Sequence, residues 1–578
     1  LEELVRSMAD SGSLQRAGDG WSFDRDVPVE VPETVEKLIS TRIDRLPDAA
    51  QDLLAVAAVL GRQFPVDLLE AVGGGGEASR PLQELRAAEL LGDAASLPVP
   101  LLAFRHTLIQ ETAYRRLLRS RRSELHAAAA EAIESLYADR IDEFAGMVAH
   151  HADAAGDDRR AFDYHRRAAE AAARVYSVDE AIEHYDGVLV AAGRLGLGDA
   201  DAAVRSATFA RAGLRFAIGD LDGARPDFET AIAAAREAGD AELEVNASLG
   251  LVSYLRSRDF ARATELIEAT VRASDGVPSV ARVNALARLA IQYVHQLRLD
   301  RAAEIGERAL ALALAEGDRR SLSQAKDALK LVAQQLGDVD RLEELTDDLL
   351  ATLRERPEDA YYLSWVLLES AFVPLARGRW DDARDRFLEA LELTRRQGSR
   401  YQEPLFVEGL CWLHAAEGDH VRAIEQGRIA AELAREIGAA EWASWTDATL
   451  GWVLLEAGAP AEAAESLERG LRTAEESGPP AQLTRCVCLL ACARSMLGER
   501  ATAAGHAERG EGLLARVSAP PGRAWLFGAH AYLAIARVRQ DAGDHEAAER
   551  IASPILAASR RSGWSERLAG IALIDRRG

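Results

Sequence analysis

Cysteine, lysine, proline and aromatic residues are all scarce in this chain, and each scarcity excludes something. Four cysteines in 578 residues cannot staple a fold of this size, so a disulfide framework is excluded. Cys486, Cys488 and Cys492 fall at i, i+2 and i+6 of one apolar helical stretch, which does not give zinc geometry; they read as buried thiols. With only 18 prolines and 6% aromatics among abundant Ala, Leu, Arg and Glu, helix is favoured nearly throughout. No apolar run approaches the length of a membrane span, and no secretory signal opens the sequence. Lysine is almost absent and the basic side chains are nearly all Arg, which reads as a coding bias rather than a site.

The remaining composition, 48% hydrophobic and 28% charged, is that of a well-folded soluble protein, several times longer than one ordinary domain. A formal net charge of −24 works against bulk nucleic-acid binding, because the phosphate backbone would be repelled. The chain begins at Leu1, within helix-forming sequence and without an initiator Met; the expectation is a piece of a larger cytoplasmic protein.

Internal repeats dominate from about residue 178. A Gly-Asp or Gly-x turn precedes a helix with a small residue in its first turns, as at Gly219-Asp220, Gly337-Asp338, Gly418-Asp419 and Gly543-Asp544. The markers Ala181, Ala224, Ala261, Ala302, Leu342, Ala383, Ala423, Ala463, Ala503 and Ala547 recur about every 40 residues. A second glycine closes the unit at Gly239, Gly317, Gly398, Gly438, Gly478 and Gly563. Glycine takes the left-handed conformation that ends a helix, and the following Asp caps the next one. Each unit is then a helix hairpin with an apolar face that it cannot bury alone, and stacking about ten of them builds a superhelix with a concave face. The repeats resemble tetratricopeptide repeats in a longer form, best in Gly378-Arg379-Trp380-Asp381-Asp382-Ala383 through Phe387 and Ala390-Leu391.

Residues 1–140 read differently. Helices are predicted from Val31-Pro32-Glu33-Thr34 onward, over Asp48–Leu60, after Pro65, and over Glu77–Leu91. Leu90–Asp93 and Leu101–Phe104 flank a Pro-containing turn and predict a β-hairpin, and Trp21–Phe23 an isolated strand. Three helices followed by a hairpin make a winged helix. The expected fold is therefore all-α: a winged-helix domain with a small β-hairpin, then a tetratricopeptide-like α-solenoid. The expected divisions are 1–30, 31–137, 138–177 (connecting helices and a first repeat) and 178–578 (repeats).

Arg42-Ile43-Asp44-Arg45-Leu46-Pro47, Ala57–Phe64, Phe104-Arg105-His106-Thr107-Leu108 through Tyr114, and Leu117–His126 occur in that order. With Leu1–Arg6 and Val31–Val35, they resemble the region just after the nucleotide-binding core of bacterial signal-transducing (STAND-type) ATPases. The nearest in character join an adenylate/guanylate cyclase domain, an ATPase and a repeat tail; large LuxR-type regulators are similar. The detailed resemblance covers about residues 1–195. It implies that residues 1–30 are the tail of an ATPase or lid region, and that ATP/ADP with Mg belongs to a full-length parent. This chain has no Gly-x-x-x-x-Gly-Lys-Ser/Thr loop, cyclase domain or C-terminal helix-turn-helix, so no cofactor and no catalysis are expected of it alone. The resemblance further implies that His106, at the start of the helix after the wing, contacts the ADP phosphate and holds the parent off.

Arg115, Arg116, Arg119, Arg121 and Arg122 form the densest basic cluster, but residues 1–137 keep a negative balance, and direct DNA binding is not expected. His150, His151 and Asp153 have the composition of a metal site. Neighbours on a helix point about 100° apart, however, so no metal is expected there. Tyr361, Tyr362, Trp365, Tyr401, Trp442 and Trp445 recur in the first helices of successive repeats, which line the concave face. They are candidates for a protein or small-molecule ligand, with packing between hairpins as the plainer reading. The functional expectation is a signal-sensing module whose repeats bind a ligand and whose winged helix couples binding to nucleotide state. A passive scaffold, or the sensor of a LuxR-type regulator, is the alternative.

Overall fold

The computed structural model describes residues 14–17, 20–23, 35–74, 79–94, 100–275, 279–355, 360–562 and 564. Two compact units emerge: Leu1–Ala171 with Glu183–Leu197, and Ala172–Ile182 with Gly198–Gly578.

In the first unit, helices Val35–Asp44 and Asp48–Leu60 are separated by Pro47, which starts the second with Asp48 in its first turn. Pro65 does the same for the helix Val66–Val72. The segment expected to open the first helix, 31–34, lies outside the described residues. The helix expected over Glu77–Leu91 is shorter, Ser79–Ala87. Glu89 turns left-handed (φ 52°), so Leu90 and Leu91 swing into the core and Leu91–Asp93 becomes a strand. The predicted hairpin forms, with Gly92 opposite Ala103. It gains a partner that sequence reading missed: Gln63–Pro65 pairs with the other edge of Leu101–Phe104, Phe64 opposite Leu102. The sheet is antiparallel and its central strand is Leu101–Phe104. Phe64 and Phe104 meet edge to face, with ring centroids 6.2 Å apart, over a core that includes Leu54, Leu68, Leu85 and Ile109. Trp21–Phe23 is not isolated; Gly20–Phe23 pairs antiparallel with Leu14–Ala17. The arginine cluster is engaged locally: Arg115 with Glu36 at 2.9 Å, Arg116 with Asp44, and Arg121 with Glu124 at 3.1 Å.

In the second unit, antiparallel helix pairs succeed one another from Ala202–Ala217 with Leu221–Ala238 to Ala529–Asp541 with His545–Ser562. The punctuation works as its chemistry dictates. Gly219, Gly337, Gly418 and Gly543 are left-handed. Asp220, Asp240, Asp338, Asp419 and Asp544 accept backbone N–H bonds three residues on. Two marker positions need correction. Ala261 is exposed, and Ala263, fully buried, is the small residue in phase. Gly478 is extended (φ −63°, ψ 117°), because Pro479 excludes helical conformations from the residue before it. Gly563 lies outside the described residues. The remaining markers are buried, and the aromatic one turn further on explains a close approach. A Cβ on Gly409 would sit 2.6 Å from the Phe387 ring, and one on Gly250 2.2 Å from Phe228.

The stack curls far enough to touch itself. Arg256 donates to Glu441, 185 residues away, at 2.7 Å. Trp525 Nε1 donates to Gln335 Oε1, 190 residues away, at 2.8 Å. The segment before Ala529–Asp541 returns to earlier hairpins, with Leu299 N–H donating to Ser518 O (2.8 Å) and Phe527 N–H to Gln335 O (3.1 Å). The concave face becomes an interior, and the helix Ala440–Glu456 is buried at every position from Glu441 onward.

Candidate functional site

That interior contains a cavity that opens in part to solvent. The first helices of successive hairpins supply its walls, since they face inward in the superhelix. Aromatic side chains form most of the apolar lining: Tyr362 and Trp365 are half-buried, while Tyr401, Trp412, Trp442, Trp445 and Phe527 are buried. Trp365 lies 6.4 Å from Trp442 between ring centroids, and Tyr401 lies 5.7 Å from it. The periodic offsets thus place these aromatics together, though Trp442 neighbours Trp365 and Tyr401 rather than forming a ladder with Tyr362. Tyr361 belongs to the helix Ala360–Ser370, and its side chain lies outside the described residues. Closure of the superhelix buries Trp442 and Trp445, while Tyr362 and Trp365 stay half-buried.

Ion pairs set into this lining went unrecognised in the sequence. Lys330 contacts Glu369 and lies 3.0 Å from Asp327. Arg288 donates to the Tyr362 hydroxyl at 3.2 Å. Arg256 pairs with Glu441 and sits 5.9 Å over the Trp442 ring, while His295 Nδ1 is 3.6 Å from the same carboxylate. Behind the wall, Arg485 donates through Nη2 to Thr449 (2.7 Å), Thr449 donates to Glu408, and Trp412 Nε1 donates to Glu408 at 3.1 Å. Burial raises the carboxyl groups of Glu408 and Glu441 above the usual range, opposed by Arg485 and Arg256 respectively. Burial likewise pushes Lys330 down and His295 well down. The available signal was a charge inside an apolar run, as in Pro404-Leu405-Phe406-Val407-Glu408-Gly409-Leu410 or Thr484-Arg485-Cys486-Val487.

Three polar atoms around Trp442 are buried without a hydrogen-bond partner: Arg256 Nε, Glu441 Oε2 and Trp442 Nε1. Each such atom costs about 1–3 kcal/mol. Two donors and an acceptor thus lie unsatisfied beside aromatic faces. The thiols offer no nucleophile, since burial raises Cys486 to about 12 and Cys411 higher still.

The first unit holds the other candidate residues. His106 is exposed at the start of the helix Thr107–Arg116, and its side chain does not cap it. His150 and His151 acquire a neighbour from the helix Arg119–Leu136: His126 Nδ1 is 2.8 Å from His151 Nδ1. Burial lowers His126 to about 4, helped by His150 and Arg122; burial and the two other histidines lower His151 to about 3.

No family model matches the chain, and no curated protein does. Among solved structures, it is similar to a Rap protein complexed with competence and sporulation factor, at 12% identity and TM-score 0.47, over 62% of this chain and 98% of that one. It is also similar to a STAND protein with a tetratricopeptide repeat sensor from Pyrococcus horikoshii, at 14% identity and TM-score 0.39, over 84% of this chain and 66% of that one. The Cut9–Hcn1 assembly of APC/C is another, at 16% identity and TM-score 0.29, over 81% and 96%. By its own geometry, the second unit is a tetratricopeptide-like helical repeat superhelix.

Proposed function

We propose that this chain is the sensory and regulatory part of a STAND-type ATPase, and that its superhelix binds a small molecule or short peptide segment in the aromatic cavity. The observation that carries this reading is the aromatic cavity, whose lining includes Arg256 and Trp442, each with a buried nitrogen that lacks a hydrogen-bond partner. A ligand that fits the closed curl better than an opened one shifts the superhelix toward closure in proportion to that difference. The first unit supports a winged-helix reading, because the helix Asp48–Leu60, the strand Gln63–Pro65, the helices Val66–Val72 and Ser79–Ala87, and the strands Leu91–Asp93 and Leu101–Phe104 follow one another in that order, with Gln63–Pro65 and Leu91–Asp93 at the edges of the antiparallel sheet.

The test is a thermal-shift screen of the purified chain against short apolar peptides and amphipathic small molecules, followed by calorimetry on the hits. Arg288→Met and Trp365→Leu are expected to weaken a true hit at least tenfold, equivalent to about 1.4 kcal/mol. Hits insensitive to both, or no hit that stabilises the second unit, would favour a passive scaffold.

In this reading, His106 of the full-length parent touches the ADP phosphate. His106→Ala is expected to weaken ADP retention about tenfold, in line with one lost hydrogen bond to a charged group. Being exposed, the residue should change stability by less than about 0.5 kcal/mol. Unaltered ADP release in the parent would remove His106 from the mechanism.

A further inference from the structure

His126, His150 and His151 come from two packed helices, Arg119–Leu136 and Ala145–Ala155. One nitrogen from each imidazole lies within 4.8 Å of the others. The ring centroids are separated by 5.9 Å (His126–His150), 5.0 Å (His126–His151) and 5.4 Å (His150–His151). From this geometry we infer that they form a binding site for one divalent transition-metal ion, of the zinc, cobalt, nickel or copper class.

Several features favour ligation over mere packing. Zinc–nitrogen bonds of about 2.0–2.1 Å place tetrahedral nitrogens roughly 3.3 Å apart, so shifts of about 1 Å suffice. Tyr114 adds an outer partner, its hydroxyl lying 3.0 Å from His126 Nε2. When Nδ1 binds metal, the His126 proton resides on Nε2 and is donated to the Tyr114 oxygen, which fixes tautomer and ring plane. His151 is held by its helix, whereas His150 is exposed and can rotate to complete the set. In the metal-free protein, the His126 and His151 Nδ1 atoms share one proton between them; the ion replaces that proton, which moves to a ring Nε2. An all-imidazole donor set selects borderline ions and disfavours Mg and Ca. Three protein ligands leave a fourth position for water.

Adjacency on the helix is no obstacle. The third ligand comes from across the interface, so His150 and His151 need only converge on a point beside His126 rather than lie parallel.

The test uses the untagged chain, stripped with EDTA and titrated with Zn(II) by calorimetry against a competing chelator. Co(II) absorption then reports the coordination number. The expected result is one equivalent bound, with the band of four-coordinate cobalt and no competition from Mg or Ca. His150→Ala, at an exposed position, should weaken binding at least tenfold while leaving the metal-free melting curve unchanged. His126→Gln should abolish binding, and Tyr114→Phe should weaken it about tenfold. Absence of a saturable equivalent overturns the site, as does unchanged Zn(II) affinity in His150→Ala. The histidines would then be a structural hydrogen-bonded pair with a surface neighbour. Should His126→Gln fail to fold, His150→Ala decides the question alone.

Discussion

Arg485→Ala is expected to destabilise the superhelix by about 3–5 kcal/mol, because it strands a buried charge rather than merely deleting contacts. Arg485 is fully buried in the helix Pro480–Met496, donates through Nε to His530 Nε2 at 3.0 Å, and lies 4.7 Å over the Trp445 ring. Through Thr449 it is the positive end of a short relay ending at Glu408. Without it, the Glu408 carboxylate loses the chief charge that opposes its desolvation. Its folded pKa, already raised by burial, would rise further above the unfolded value. The sign follows: a carboxyl with a raised folded pKa favours the folded state when protonated and penalises it as pH rises. The cost of Arg485→Ala should therefore be larger at pH 8 than at pH 5. Adding Glu408→Gln should restore part of the loss, since a neutral amide needs no countercharge. Urea unfolding at the two pH values measures both effects; a loss below about 1 kcal/mol, or no dependence on pH, would remove the relay from the account of stability.

Trp412→Ala is expected to cost a similar amount, about 3–5 kcal/mol, by opening a cavity that the wall cannot collapse into. Trp412 is 1% exposed. Its ring lies 4.6 Å from Trp452, 5.0 Å from Phe527 and 6.1 Å from Phe372, between ring centroids. These neighbours come from separate hairpins and from the returning segment before Ala529–Asp541, so the loss spreads beyond one repeat. Repeat arrays hold together through nearest-neighbour interfaces, and the calorimetric transition should broaden or split as well as shift. Trp412→Phe should cost less, losing the bond to Glu408 but retaining most of the packing. Leu388→Ala, at an exposed position, should stay within about 0.5 kcal/mol and serves as the control. A sharp transition with an unshifted midpoint in Trp412→Ala would contradict the closed interior.

What the sequence determined by itself is the local grammar of the hairpins. A left-handed Gly, a capping Asp and a buried small residue depend on neighbours within about four positions, which the chain order supplies. Gly418-Asp419 with Ala423, and Pro47 before Asp48–Leu60, were legible for that reason. The failures were local ambiguities. Two alanines two positions apart, Ala261 and Ala263, differ only in burial, and the glycine signal at Gly478 was overridden by Pro479. Tertiary structure alone decided how far the superhelix curls, because small rotations between hairpins accumulate over many repeats and leave no mark at any one of them. That accumulation brings Arg256 to Glu441 and Trp525 to Gln335 across 185 and 190 residues, turning the concave face into a lined cavity. It was likewise helix packing, not spacing, that set His126 beside His150 and His151: the ligand missing from the sequence motif lies on a different helix, and only the interface between the two brings its ring within reach.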